Sequence, residues 1–245
     1  MNPEQRSSIQ LLSGHHSQLL LDHVPSPRAF TFLRDPYAQF ISWYAYIRRS
    51  PQNPRHSEVA KLHSFEDFVT YCEDTGFYSG QTWHLGHTLS DLEIGRSQLR
   101  APCQSEFDRA KSVLDRCEWV FLTERFHESL VYLSRELSWP APVYRWLNKS
   151  PDTDKLKIGD GLLERIRTMQ SFDLQLYAIA VERCNASLSE FPDLKESVED
   201  FESILATWNR RNAWRFSAED RYRYFLQRFL GRKPDWQRVP DNSAH

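Results

Sequence analysis

The chain has 245 residues, long enough to bury a substantial core within one domain. Its 31 Lys and Arg against 33 Asp and Glu leave a net charge of −2, which argues against general nucleic-acid binding and still allows one local anion site. Aromatic residues make up 13% with eight Trp, and Gly numbers only eight, a profile that excludes a disordered, repeat or low-complexity chain and favours a helix-rich globular one.

The opening, MNPEQRSSIQLLSGHH, lacks the apolar stretch of a signal peptide, and no later run reaches the ~18 to 20 apolar residues of a membrane helix. As written, the chain reads as cytoplasmic or otherwise soluble. Ala29 to Leu33 alternates Phe and Thr and predicts a buried strand. Asp35 and Pro36 then start a helix, Asp as N-cap and Pro at the first helical position. Tyr37, Phe40, Ile41, Tyr44 and Ile47 recur at helical spacing and form one apolar face, with Gln39, Ser42 and Tyr46 off it. RRSPQNPRHSE ends that helix, and Ser64 with Asp67 three residues on predicts a capping box before FEDFVTYC.

YSGQTWHLGH reads as a mixed loop or short helix, and SEFDRAKSVLDRC as a helix with Phe107, Ala110, Leu114 and Cys117 inward. WVFL, Trp119 to Leu122, is a second buried strand that passes through Thr123 into the helix of ERFHESLVYLSREL. A strand-then-helix unit thus occurs twice, which predicts an α/β fold with a central parallel sheet flanked by helices and a ligand outside the carboxyl ends of the strands. Beyond WPAPVYRWLNKSPD the pattern is helical, over Gly161 to Ala186, Leu194 to Arg211 and Ser217 to Leu230. The last of these reads as a docking helix with a solvated basic side, and 231–245 as a polar tail after a domain covering 1–230. Cys72, Cys103, Cys117 and Cys184 have no CxxC spacing and read as reduced thiols, although an even count permits disulfides.

Arg34, between strand and helix, has the properties of a phosphate ligand. Its planar fork suits two oxygens and is always charged. The helix start adds N–H groups, and Ser42 in the second turn offers a hydroxyl. The competing reading pairs Arg34 with Asp35 or another carboxylate and leaves Ser42 merely exposed. His84 and His87 lack an HExxH pattern or a companion carboxylate, so no metal site is expected. No Walker GxxxxGK, GxSxG or GxGxxG occurs, which leaves a kinase, serine hydrolase or Rossmann dehydrogenase without support.

FTFLRDPYAQFISWYAYIR resembles the 3′-phosphate-binding segment of carbohydrate sulfotransferases that use 3′-phosphoadenosine 5′-phosphosulfate (PAPS), in which a strand ends in Arg-Asp-Pro and Ser-x-Tyr follows on the helix. LLSGHHSQLLLD resembles the family's Gly-His element, notably in the heparan and dermatan uronyl 2-O-sulfotransferase branch. GQTWHLG resembles its Gln-Thr-x-x-Leu segment, WVFLTERFHESLVYL its later strand and helix, and WLNKSP and SFDLQLYAIAVERC its Asn-Lys-Ser and Asp-x-x-Leu-Tyr elements. The matches keep their order from Leu11 to Cys184.

The resemblance implies a P-loop-NTPase-like sulfotransferase fold that moves a sulfuryl group from PAPS to a hydroxyl-bearing acceptor, a glycan. Arg34 and Ser42 would grip the 3′-phosphate, and His15 would be the general base, with His16 as its substitute. Histidine suits that role because its ordinary pKa of about 6.5 lets it accept a proton near neutrality. Two departures stand out: Gln39 occupies a position where the family commonly has arginine, and the first strand with its Lys-x-Gly-Gly-Thr-Ser loop for the 5′-phosphosulfate is missing. DKLKIGDGLLER, with Lys157, Gly159 and Gly161, has no following hydroxyl and reads as a loop before a helix. The expectation is therefore an N-terminally incomplete domain. If the start is truncated, a Golgi or membrane-anchored parent stays open; the rival reading is an inactive nucleotide- or glycan-binding relic of the same fold.

Overall fold

The computed structural model describes residues 11, 13–14, 16–78, 80–93, 100–145 and 158–230, with side chains except at 92–93 and 217–230. His15, the Asn148-Lys149-Ser150 element, Lys157, the aromatic and basic side chains of 217–230 and the tail 231–245 lie outside what is described. A 3-10 turn at Ser17–His23 leads into β1 (Phe30–Leu33) and α1 (Pro36–Arg49). Then come α2 (His56–Val59), α3 (Phe65–Thr75), α4 (Gln81–Gly86), α5 (Leu89–Glu93) and α6 (Gln104–Arg116). Next are β2 (Trp119–Leu122), a 3-10 turn at Thr123–Arg125, α7 (Phe126–Glu136), α8 (Asp160–Met169), α9 (Ser171–Ser189) and α10 (Leu194–Leu230).

β1 and β2 pair in parallel, with Phe30 opposite Trp119 and Leu33 opposite Leu122. Parallel neighbours require a long crossover, here the helices α1 to α6, and a cover on both faces. β2 accordingly is buried along its whole length, under Leu114 of α6, Leu133 of α7 and Leu176, Ala180 and Cys184 of α9. A second, aromatic core joins Phe40, Tyr44 and Ile47 of α1 to Phe65, Phe68 and Val69 of α3 and Ile166 of α8, with the Tyr44 and Phe68 rings 4.9 Å apart. The expected apolar face of α1 is the one that packs there, and the capping box at Ser64 and Asp67 is formed on both sides. Among the described residues the sheet has two strands.

The C-terminal helices differ from expectation in two places. The single helix expected over Gly161 to Ala186 is broken at Gln170, whose backbone (φ −102, ψ 20) leaves the helical region, so that α9 starts afresh and puts Asp173 in its first turn. The two helices expected after Leu194 are one, since neither Gly nor Pro falls between 212 and 230 to stop it.

α4 rests against α6 through Gly86, where a methyl group would overlap the Glu106 backbone carbonyl. The Gly86 carbonyl also accepts from Arg109 Nε at 2.6 Å. Gly86→Ala must push backbone against backbone. The expected cost is about 2 to 3 kcal/mol, a fall in Tm of roughly 5 to 10 °C by calorimetry; an unchanged Tm would refute this packing.

Candidate functional site

Arg34 ends β1 and is half-buried. Its backbone is fixed by a side chain 47 residues away: the Arg34 N–H donates to Gln81 Oε1 at 2.7 Å, and the Arg34 carbonyl accepts from Gln81 Nε2 at 2.7 Å. The Gln81 amide thus stands in for one residue of a third strand on the edge of β1 away from β2. One residue on, the Asp35 N–H donates to Glu124 Oε1 at 2.8 Å, while Asp35 Oδ1 accepts the Ala38 N–H at 2.8 Å as the N-cap of α1. Glu124 also accepts from the Tyr177 hydroxyl at 3.4 Å, and burial together with this carboxylate pushes the Tyr177 phenol up to about 12.

The strand–helix corner is therefore held from three directions, yet among the described residues the Arg34 guanidinium has no hydrogen bond and no ion pair. Asp35, its nearest carboxylate in sequence, is committed to the helix cap, so the competing ion-pair reading is not realised. Ser42, in the second turn of α1, is half-buried, and its hydroxyl has no hydrogen bond among the described residues. Helical hydroxyls here commonly bond the carbonyl four residues back, as Ser129 does to Arg125 at 2.7 Å and Thr75 to Tyr71 at 2.6 Å. Ser42 does not, so its hydroxyl is available to a ligand. No hydrogen bond joins Arg34 to Ser42.

The helix start contributes less than the sequence promised. Pro36 has no N–H, Asp35 takes that of Ala38, and the Gln39 N–H enters the helix ladder to the Asp35 carbonyl at 2.9 Å. Only the Tyr37 N–H is left without a partner among the described residues, so an anion at this corner depends on side chains.

Behind Gln81 sits a buried carboxylate. Asp173 Oδ1 accepts the Thr82 N–H at 2.7 Å, and Oδ2 accepts the Gln81 N–H at 3.1 Å and the Tyr78 hydroxyl. Asp173 is 1% exposed and serves α4 as an N-cap supplied from α9. Burial and the adjacent carboxylate hold the Tyr78 phenol well above its ordinary range. Gly80 makes room for this group, since a methyl there would overlap Asp173 Oδ2 and the Tyr78 ring.

At the other end of α4, His87 is 2% exposed and stacks on Trp83 with ring centroids 4.9 Å apart. His87 Nδ1 lies 3.1 Å from the Trp83 carbonyl, and its Nε2 lies 2.9 Å from His16 Nδ1. Gln18 Nε2 donates to the His84 carbonyl at 2.8 Å and ties the first 3-10 turn to α4.

A cleft of ≈ 730 Å³ runs along β1, with Gln18, Gln39, Gln81 and His84 among its polar lining and Phe30, Phe32, Leu85 and Trp139 among its apolar lining. Neither Arg34 nor Ser42 lines it; Gln81 and His84 of α4 do. Among the described residues, no three His, Cys, Asp or Glu side chains gather as metal ligands, and no helix is long and apolar enough to cross a membrane. The four cysteines are free thiols, with Cys72, Cys117 and Cys184 buried and their thiols pushed up by burial.

Sequence reasoning singled out Arg34 and Ser42 and did not foresee the hydrogen bonds made by Gln81, Asp173 and His87. The signal for the first two was present, since GQTWHLG and SFDLQLY were among the segments that carried the resemblance. No curated protein and no solved structure matches the chain. The family model described as Galactose-3-O-sulfotransferase matches residues 16–191, which takes in β1, α4, β2 and α9 and every contact that fixes Arg34. The chain belongs to the galactose-3-O-sulfotransferase family, a family of PAPS-dependent carbohydrate sulfotransferases.

Proposed function

We propose that the protein transfers a sulfuryl group from PAPS to a carbohydrate hydroxyl, with a galactose residue as the sugar that the family description indicates. The observation that carries this reading is the Arg34 guanidinium. It is uncommitted among the described residues, at the carboxyl end of a parallel strand, on a backbone that Gln81 and Glu124 hold in place. An arginine fixed in this way meets a phosphate without first ordering its own main chain. Arg34 and the Ser42 hydroxyl fit the 3′-phosphate of the donor, and when bound the donor supplies a sulfuryl group activated by a phosphate leaving group.

Residues 1–230 are taken as one sulfotransferase-like domain of the P-loop-like kind. A histidine of the Gly14–His16 corner accepts the proton of the acceptor hydroxyl, and the resemblance points to His15. Positioning and charge stabilisation, as in phosphoryl transfer, provide the rest.

The test is transfer of ³⁵S from labelled PAPS to a galactose-terminated oligosaccharide, beside a uronic-acid polymer as second acceptor. Label on the galactose sugar is expected. Label on the polymer alone would move the acceptor to the uronyl branch that the Gly-His element resembles. Nucleotide binding with label on neither would favour the non-catalytic binding protein.

A further inference from the structure

We propose that the outer face of the second half of α10 docks on a membrane surface of anionic phospholipid headgroups, with Trp214 as its apolar anchor. The proposal stands apart from the sulfuryl-transfer reading and does not depend on it. One side of α10 is committed to the domain. Phe201 and Leu205 are buried, and the Phe201 ring lies 5.5 Å from that of His127 on α7. Further along the same side, Asn209 Nδ2 donates to the Tyr144 carbonyl at 3.3 Å, and the Arg145 guanidinium lies 4.9 Å over the Phe216 ring. At 100° per residue Trp214 stands about 180° from Leu205. It is 74% exposed, and Ile204, a neighbour on the outer side, is 49% exposed.

The charge on the outer side has one sign. Arg210 and Arg211 are exposed and flank Trp214 on its two sides, and among the described residues neither makes a hydrogen bond or an ion pair. The helix runs on to Leu230, and its step places positions Arg221, Tyr222, Phe225, Arg228 and Phe229 within ~80° of Trp214. From 210 to 228 the chain has six Arg against Glu219 and Asp220, and both acidic positions fall more than ~100° from Trp214. The face thus extends over about 30 Å with aromatic positions along it and arginines at its edges. That is the pattern of a helix lying in a membrane interface, where the rings enter the headgroup boundary and the arginine stems reach back to phosphates.

Other occupants fit less well. A second copy paired antiparallel through Trp214 and Ile204 would bring Arg210 and Arg211 of both chains to the two-fold axis, four like charges together. A sulfated polysaccharide matches the arginines and leaves the exposed indole without an apolar partner. An anionic bilayer meets both, since it offers phosphate charge and an apolar layer beneath it. The arginines keep the helix on the surface, consistent with the absence among the described residues of any helix apolar enough to cross.

Co-sedimentation of the full chain with phosphatidylcholine vesicles, with and without 30% phosphatidylserine, tests the proposal. Binding is expected to the anionic vesicles, with little to the neutral ones, and most of it should be lost between about 0.05 and 0.5 M salt. Arg210→Ala with Arg211→Ala should lower the partition coefficient roughly 30-fold, and Trp214→Ala roughly tenfold. Their Tm should match that of the unmodified protein, because the three side chains are exposed. Equal binding to both vesicle types, no binding to either, or binding that the variants leave unchanged overturns the proposal. So does retention on heparin without vesicle binding, which would make the partner a soluble polyanion. A concentration-dependent dimer that Trp214→Ala dissociates, again without vesicle binding, would give the face to a second copy and overturn it equally.

Discussion

Asp173→Ala is expected to destabilise the protein by about 3 to 5 kcal/mol, because it leaves three donors without an acceptor in a dry site. The Gln81 and Thr82 N–H groups and the Tyr78 hydroxyl all converge on this carboxylate, which is 1% exposed. Asp173→Asn would keep the shape, but its amide has one acceptor oxygen, and its NH2 would point at a donor. It should recover only part of the loss. The effect should extend to binding. Once the α4 N-terminus frays, the Gln81 amide no longer holds both backbone groups of Arg34, so nucleotide affinity should fall even at temperatures where the variant is folded. Thermal unfolding by calorimetry and nucleotide titration on one sample separate the two effects, and wild-type stability in Asp173→Ala would contradict the capping role.

Arg34→Ala should weaken nucleotide binding roughly 10- to 150-fold, the equivalent of one strong charge-assisted contact of about 1.5 to 3 kcal/mol. Stability should barely change, since the guanidinium has no partner among the described residues to lose. Arg34→Lys keeps the charge without the fork and should fall between. Ser42→Ala should cost less, about fivefold, again with Tm unchanged. Binding loss without stability loss is the signature of side chains reserved for a ligand; a Tm that fell with affinity in Arg34→Ala would mean the arginine is structural.

Much of this corner was legible because its signals are local. Asp35 and Pro36 mark a helix start within two residues, and the spacing of Phe40, Tyr44 and Ile47 says which face turns inward and leaves Ser42 aside. Strands β1 and β2 followed from short apolar runs with turn signals around them. What sequence patterns could not give was the support of Arg34. Gln81 and Asp173 act across 47 and 91 residues, through side-chain hydrogen bonds between groups that carry no periodicity of their own. Gln81 reads as an ordinary polar residue until β1 is seen to lack a neighbour at Arg34. The break at Gln170 was hidden for a related reason: no Gly or Pro marks it, and α9 is turned by the tertiary demand that Asp173 reach α4.

His87 was set aside as a metal ligand without companions, and its partner proved to be another imidazole 71 residues away. His15 lies outside the described residues. The family match and the fixed Arg34 backbone bear on the same element, the β1–α1 corner, and the function proposed depends on that corner more than on any other.

Isothermal titration of the unmodified chain with adenosine 3′,5′-bisphosphate and with adenosine 5′-monophosphate tests the central claim, that Arg34 and Ser42 hold a 3′-phosphate. The bisphosphate is predicted to bind one site per chain, at least tenfold more tightly than the monophosphate, with the difference lost in Arg34→Ala. No binding of the bisphosphate, or equal affinity for the two nucleotides, would contradict it.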